Sequence, residues 1–506
     1  MKGHSSVATP EEMPTAFSLE KWLTPSRSFV LPNLLLLFFW ALAFFQPLKY
    51  GISFGGDEGM EIQKALLLTK GYSLYDQIWS DQPPFYTYIL ALLIEIGGAN
   101  SFLPRVFSVL CASIAVWVIC YLTQKEAGIL AGLAAATAFI SVPPVTGLSY
   151  AIMQEIPMVS FSLAACATAF SGNHVLRRWI TPVLIVLAIS IKLTAILFLP
   201  AILVALTLNR LQETKNDSRT ALKEVLCFFG ISGTFGVLCV FLFGFGSLDQ
   251  IFRTHFGFTD SNSEAANDLT ITMRRDILPS IDLFIGASIG LFTTWRSMTR
   301  PFKFFCYALV FGQALFCLFH RPWWPFYLVG VSVPLCLFHA LGIAAMLRGT
   351  VFTSSRDTTV RGLCITALGA LVLVYSLFFW LYRFHDNYTG LQKMADIRKD
   401  GAVQFLARSG DTNQFIYSQD EMVAYHAGYS LAPELAVTSL KRLWSGQFDT
   451  NQVPRILAKY GISLALLRNE TMPSLGERLI AKGFANAYQD NSYTILQKTN
   501  VNLSTP

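Results

Sequence analysis

A chain of 506 residues in which 53% are hydrophobic and 14% charged lies far from soluble domains, where about a quarter of residues carry charge, and reads as an integral membrane protein. A formal net charge of +6 is small for this length and does not suggest nucleic acid, so no nucleic-acid partner is expected. The nine cysteines all sit in apolar stretches without CxxC or Cys/His spacing, which favours neither a disulfide framework nor a thiolate metal site and points to buried thiols.

Residues 1–28 are polar with mixed charges, and no small-residue cleavage site follows the first apolar run, so that run is expected to remain as a first span. A spanning helix needs about 20 mostly apolar residues. The expected spans are 29–47, 102–122, 127–143, 150–170, 176–191, 193–208, 224–244, 280–295, 302–319, 323–346 and 361–382. The predicted fold class is an all-α polytopic membrane protein of about eleven transmembrane helices, with room for up to about thirteen at that span length. The apolar stretch 84–97 is too short to span and is expected to be interfacial or re-entrant.

Charge then orients the chain. With 1–28 cytoplasmic, the inside connections hold Lys125, Arg177, Arg178, Arg210, Lys215, Arg219, Lys223, Arg296, Arg300, Lys303, Arg348, Arg356 and Arg361, while the short outside connections are nearly free of Lys and Arg. The transmembrane unit is 29–382, in an inner (plasma) membrane. Its long first loop 48–101, the loop 245–279 and the tail 383–506 are expected on the extracytoplasmic side. In the tail, "AVQFLARSG" has helical periodicity while "QFIYSQ", "SLALLRN" and "SYTILQ" look like strands, so 383–506 is expected to be a small α/β domain.

The first outer loop opens with the acidic pair Asp57-Glu58. The following "GMEIQKALLLTKG" sets Ile62, Leu66 and Leu67 on one face and Glu61 and Lys64 off it, the pattern of a helix lying in the interface plane. Gly71 stops that helix and Pro83-Pro84 launches the next segment. The pair would then sit at the water–lipid boundary, where partial desolvation raises carboxylate basicity. Glu155 in "MQEIPM" and Lys192 in "SIKLTAILFLP" are ionisable groups within apolar sequence on the same side. A charge there costs about 2.5–3.5 kcal/mol on insertion scales and marks function or pairing; an internal ion pair for Glu155 and snorkelling for Lys192 are the plainer alternatives.

The run "GGDEGMEIQKALLLTKGYSLYDQIWSDQPPFYTYIL…LPRVFS", then "MQEIPM", then "SIKLTAILFLP", resembles the first half of the membrane glycosyltransferases of the C-type fold, the group of the protein O-mannosyltransferases and the aminoarabinose transferase of lipid A. The resemblance covers 55–208 well and the later spans and tail more loosely. It implies a sugar donor on a polyprenyl phosphate, an inverting reaction and Asp57 as catalytic base. Glu155 departs from the pattern, since Asp is commoner at that place.

The chemistry accords with these residues. An alcohol is a poor nucleophile and needs a base, whereas a phosphate leaving group needs cations rather than a general acid. Lys192, Arg105 and Arg321 are the expected donor-phosphate contacts, Lys192 first because the resemblance supports it. Glu58 and Glu155 are expected to assist or to position the acceptor, a hydroxyl on protein, lipid or polysaccharide. His320, Trp324 and Tyr327 in "FHRPWWPFYLVGVSVP", with Arg253 and His255 in the loop 245–279, are further candidates for donor or lipid contact; an aromatic belt is the plainer reading of the first three. Asp57, Glu58 and Glu155 offer hard oxygen ligands of the kind Mg²⁺ or Mn²⁺ take, so a divalent metal is allowed, although no compact ligand motif demands it. A transporter or flippase of a lipid-linked or anionic substrate is the rival reading, but the chain lacks the paired repeats with broken helices that transporters usually carry.

Overall fold

The computed structural model describes residues 30–243, 246–256, 274, 277–293, 298–320, 323–347, 358–409 and 412–499; the expected cytoplasmic segment 1–28 lies outside them. The apolar half builds α1 (Val30–Phe44), α2 (Glu58–Thr69), α3 (Phe85–Gly97), α4 (Phe102–Ser141), α5 (Pro143–Leu148), α6 (Glu155–Ala169) and α7 (Thr181–Ile191). It continues with α8 (Leu199–Glu213), α9 (Ser218–Phe243), α10 (Gly246–Phe256), α11 (Ile281–Thr293), α12 (Arg300–Phe319), α13 (Leu328–Leu347) and α14 (Thr358–Gln392).

Each expected span contains helix among its described residues, though 150–154 and 323–324 are not helical. The spans 102–122 and 127–143 are the two arms of α4, which breaks at Ala127 and Gly128; Gly128 has φ +78°, a conformation that favours glycine. Among the described residues, six helical stretches are long and apolar enough to cross a membrane: Phe102–Ser141, Leu193–Glu213, Ser218–Phe243, Arg300–Leu318, Pro325–Leu347 and Cys364–Gln392. Pro32–Phe44, Phe85–Gly97, Glu155–Ala169 and Leu278–Phe292 are apolar but shorter. All nine cysteines are free thiols, six of them buried.

Two close approaches tie the second half together. A Cβ on Gly290 of α11 would fall 1.9 Å from the Phe338 carbonyl of α13, and one on Gly342 would fall 2.7 Å from Gly290 Cα. Gly286 and Gly290 form a G-x-x-x-G face that brings the two backbones into contact, as in helices packed within membranes. Arg383 of α14 then pairs with Asp282 of α11 and donates to the Pro279 carbonyl and Ser141 Oγ, so α4, α11 and α14 converge on one buried guanidinium.

The connections segregate by charge. At one end, Glu126 accepts from Thr299 N and Oγ1, Lys125 donates to the Phe170 carbonyl, and Arg177 pairs with Glu213 and Glu224. At the other end lie the loop 48–101, the start of α6, the break at Lys192 and the C-terminal part.

A buried ion pair shapes the first loop. Glu58 and Arg105 are both 0% exposed. Arg105 donates from Nε and Nη2 to the Glu58 carboxylate at 2.8 and 3.2 Å, from Nη1 to the Leu48 and Gly51 carbonyls, and from Nη2 to the Ile52 carbonyl. Glu58 also accepts from the amides of Phe54 and Ile152. This folds 48–54 against α4 and places Asp57 at the head of α2.

α2 differs from the expected surface helix. Glu61, Gln63 and Lys64 are buried along with Ile62, Leu66 and Leu67, because its polar side is covered as well. That cover is a domain of five strands in the order β2-β1-β3-β5-β4: β1 (Phe415–Ser418), β2 (Ser430–Leu431), β3 (Leu464–Arg468), β4 (Phe484–Gln489) and β5 (Tyr493–Lys498). β1 is parallel to β2 and β3, and β5 is antiparallel to β3 and β4. Its helices are α15 (Gly401–Arg408), α16 (Glu421–His426), α17 (Leu440–Trp444), α18 (Val453–Lys459) and α19 (Glu477–Ile480). The expected boundary at 383 falls inside α14, which runs on to Gln392.

Two outcomes follow. Gly290→Ala should lower the melting temperature of purified protein sharply, whereas Gly236→Ala, with nothing within 4 Å of its Cβ, should leave it level or raise it slightly, since helix propensity gains roughly 0.5–1 kcal/mol. Arg105→Met should cost about 3–5 kcal/mol by stranding the Glu58 charge in the interior, read as loss of the monodisperse peak on heating.

Candidate active-site cavity

The loop 48–101, the start of α6, the break at Lys192 and the C-terminal domain enclose a cavity of about 460 Å³. Its carboxyl groups are Asp57, Glu61, Asp81, Glu155 and Glu421, and its cations Lys64, Lys192, Lys441 and Arg468. Three of the carboxylates are held by cations: Glu61 by Lys64 at 2.9 Å, Asp81 by Lys441 at 3.4 Å, and Glu155 by Lys192. Gln154 also donates to Glu61, which joins α2 to the start of α6. Asp57 and Glu421 stand outside these pairs.

Asp57 is half-buried at the N-cap of α2, with φ −100° and no capping hydrogen bond from its side chain. Burial pushes its carboxyl up to about 6; the neighbouring carboxylates of Glu155, Glu61 and Asp81 add to the rise, and Lys192 opposes it. Glu421 is pushed up to about 8, by burial first, with Asp420 and Asp57 adding and Arg468 opposing. At neutral pH Asp57 is therefore an anion of enhanced basicity, and Glu421 is largely a neutral carboxylic acid able to donate a hydrogen bond. Gly59 lets α16 come this close, since a Cβ there would lie 2.7 Å from Glu421 Cβ.

Lys192 occupies a break in helix. α7 ends at Ile191, Lys192 is extended (φ −153°, ψ 131°), and a 3₁₀ segment, Leu193–Phe198, leads into α8. The ammonium lies 5.2 and 5.6 Å from the ring centres of Phe326 and Tyr327, both on the cavity wall. With one of its three donors on Glu155, further donors remain for an anion.

The other expected site residues fare differently. Glu58 and Arg105 do not reach the cavity as acceptor-positioning and phosphate-binding groups: every N–H of the Arg105 guanidinium is already donated, and Glu58 accepts from that guanidinium and two backbone amides. Glu155 reaches the cavity, as the partner of Lys192. Tyr327 lines the wall and hydrogen-bonds His320 at 2.9 Å, while His320 stacks on Phe316. Trp324 lines the cavity and lies parallel to Trp444 of α17 at 6.2 Å, a contact between the membrane part and the C-terminal domain. Arg321 and the side chains of Arg253 and His255 lie outside the described residues. α10, which carries the last two, replaces the first part of the expected loop 245–279; its Thr254 accepts from Gln447, which in turn accepts from Trp79.

The expected Mg²⁺ or Mn²⁺ set of Asp57, Glu58 and Glu155 does not assemble, because Glu58 is turned to Arg105 and Glu155 to Lys192. Among the described residues, no group of three or more His, Cys, Asp or Glu is arranged to hold a metal. Sequence reasoning missed Asp81, Gln419, Glu421, Lys441 and Arg468. It placed Glu61 and Lys64 off the apolar face without assigning them a site, and their i,i+3 spacing was the available signal.

Residues 81–233 match the family model described as dolichyl-phosphate-mannose-protein mannosyltransferase. A search of curated proteins finds no match. Among solved structures, ArnT from Cupriavidus metallidurans bound to undecaprenyl phosphate is similar with a TM-score of 0.63 at 13% identity, over 94% of this chain and 99% of that one. Its apo state gives 0.61 at 14%, over 92% and 97%. The archaeal oligosaccharyltransferase AglB from Archaeoglobus fulgidus, in complex with an inhibitory peptide and a dolichol-phosphate, gives 0.54 at 11%, over 96% of this chain and 75% of that one. The long helices and the small C-terminal sheet thus share the fold of ArnT and AglB, and residues 81–233 carry the likeness to the mannosyltransferase family model.

Proposed function

We propose that this chain is an integral-membrane glycosyltransferase that moves a sugar from a polyprenyl-phosphate donor to a hydroxyl acceptor, with Asp57 as general base. The observation that carries this reading is the placement of a basic, uncapped carboxylate at the head of α2, on a cavity that also takes Lys192. Support comes from the structural neighbours, one solved with undecaprenyl phosphate and another with a dolichol-phosphate.

The acceptor oxygen attacks the anomeric carbon as its proton passes to the Asp57 carboxylate. The bond from that carbon to the phosphate oxygen breaks, and the electron pair leaves with polyprenyl phosphate. One displacement inverts the anomeric centre. Lys192, fixed by Glu155, neutralises the charge that grows on the phosphate, with Lys64 and Lys441 adding to the field. Glu421 supplies a hydrogen bond to the sugar or the acceptor from the C-terminal domain. Basic connections gather at the opposite end of the bundle, which supports an extracytoplasmic cavity. The cavity's charges lie at one end of the helices, which fits a lipid-linked donor better than a transport path at the midplane.

Purified protein should release polyprenyl phosphate from one member of a panel of polyprenyl-phosphate sugars. Asp57→Asn should slow that release by about 10²–10⁴-fold; release at the wild-type rate would remove Asp57 from the mechanism. Because the base acts when deprotonated and titrates at about 6, kcat/KM should level off above that pH and fall as pH drops through it.

A further inference from the structure

Beside the large cavity, and separated from it by the Glu155–Lys192 pair, lies a second cavity of about 20 Å³. Glu155, Lys192, Phe326 and Tyr327 line both spaces. Two deeply buried polar atoms facing the small one have no hydrogen-bond partner among the described residues: Glu155 Oε2 and Gln313 Nε2. The two residues are 3% and 4% exposed.

Gln313 is a polar interruption in the apolar helix α12, and such residues face the bundle for a purpose. Two glycines set its position. A Cβ on Gly312 would fall 2.5 Å from the Leu197 carbonyl, so α12 lies directly on the 3₁₀ segment that follows Lys192. A Cβ on Gly330 would fall 3.3 Å from Gln313 Oε1, so α13 leaves room for the amide. The space between amide and carboxylate suits one water, which needs about 10–15 Å³ of such volume and two to four polar partners.

We propose that Gln313 is a positioning residue for Lys192, acting through one buried water that bridges its amide to the free oxygen of Glu155. The amide donates to the water and the water donates to Glu155 Oε2. With that oxygen occupied, the carboxylate cannot draw Lys192 onto both of its oxygens, and the remaining ammonium donors stay turned toward the large cavity. The proposal rests on the donor-site reading above, in which Lys192 meets the phosphate.

The test measures binding of undecaprenyl phosphate and dolichyl phosphate to the full chain in detergent, with melting temperature recorded for every variant. Gln313→Leu should weaken binding about tenfold, and the loss should vanish in a Lys192→Met background, since coupled residues are non-additive. Gly330→Ala, which crowds the amide without removing it, should shift affinity in the same direction by less. Unchanged binding in Gln313→Leu, or an equal loss with Lys192→Met present, overturns the proposal. If the wild type binds neither lipid, the donor reading falls instead, and a high-resolution map decides the bridge. Density within hydrogen-bond reach of both atoms upholds it, and a dry gap or a direct Gln313–Glu155 bond overturns it.

Discussion

The site depends on a pair of charges that never meet solvent. A buried ion pair is weak evidence for stability, because desolvation opposes the Coulomb gain. Here its value is geometric. Arg105 collects three carbonyls from the loop 48–52 and both oxygens of Glu58, so the loop has one way to lie against α4. The first turn of α2 is thereby fixed, and with it the direction of Asp57. Glu58 adds a bond to the Ile152 amide, which sets the approach of α6 and hence of Glu155.

From that anchor the cavity assembles as a set of partly cancelled charges. Lys64, Lys192 and Lys441 each meet a carboxylate, so the interior carries little net charge yet remains rich in donors and acceptors. Asp57 and Glu421 stand outside these pairs, and the proton affinity of Asp57 is raised by burial and by the carboxylates around it. A carboxylate is raised in this way when a loop is pressed between two walls, and the second wall is the C-terminal domain. Trp324 against Trp444 and the Trp79–Gln447–Thr254 chain fasten that wall to the membrane part.

What the sequence discloses follows from what each signal encodes. Apolar runs report their own exclusion from water, so each expected span contains helix, and the strands around Phe415, Leu464 and Tyr493 announce themselves as short apolar runs. "FANAYQ" does not, and β4 escapes notice. Charge along the chain says nothing of direction: Asp57 and Glu58 are neighbours, but successive positions on a helix turn by about 100°, and one enters the cavity while the other enters the core. Lys192 and Glu155 are legible as charges in apolar sequence. Glu421, Lys441 and Arg468 are illegible because they reach the cavity only through the packing of α16, α17 and β3, hundreds of positions away from Asp57. Gln313 is hidden for a different reason, since one amide in a span is ordinary until the atoms around it are seen.

The division of the cavity between early and late segments imposes a timetable on biosynthesis. Asp57, Glu61 and Lys64 leave the ribosome long before Gln419, Glu421, Lys441 and Arg468, and the last membrane helix, Thr358–Gln392, comes between them. Until the C-terminal domain folds, the side of α2 that packs on α16 and β2 lacks its cover. The cavity is therefore complete only once that domain has packed on the bundle, so a nascent chain still being inserted does not yet enclose it.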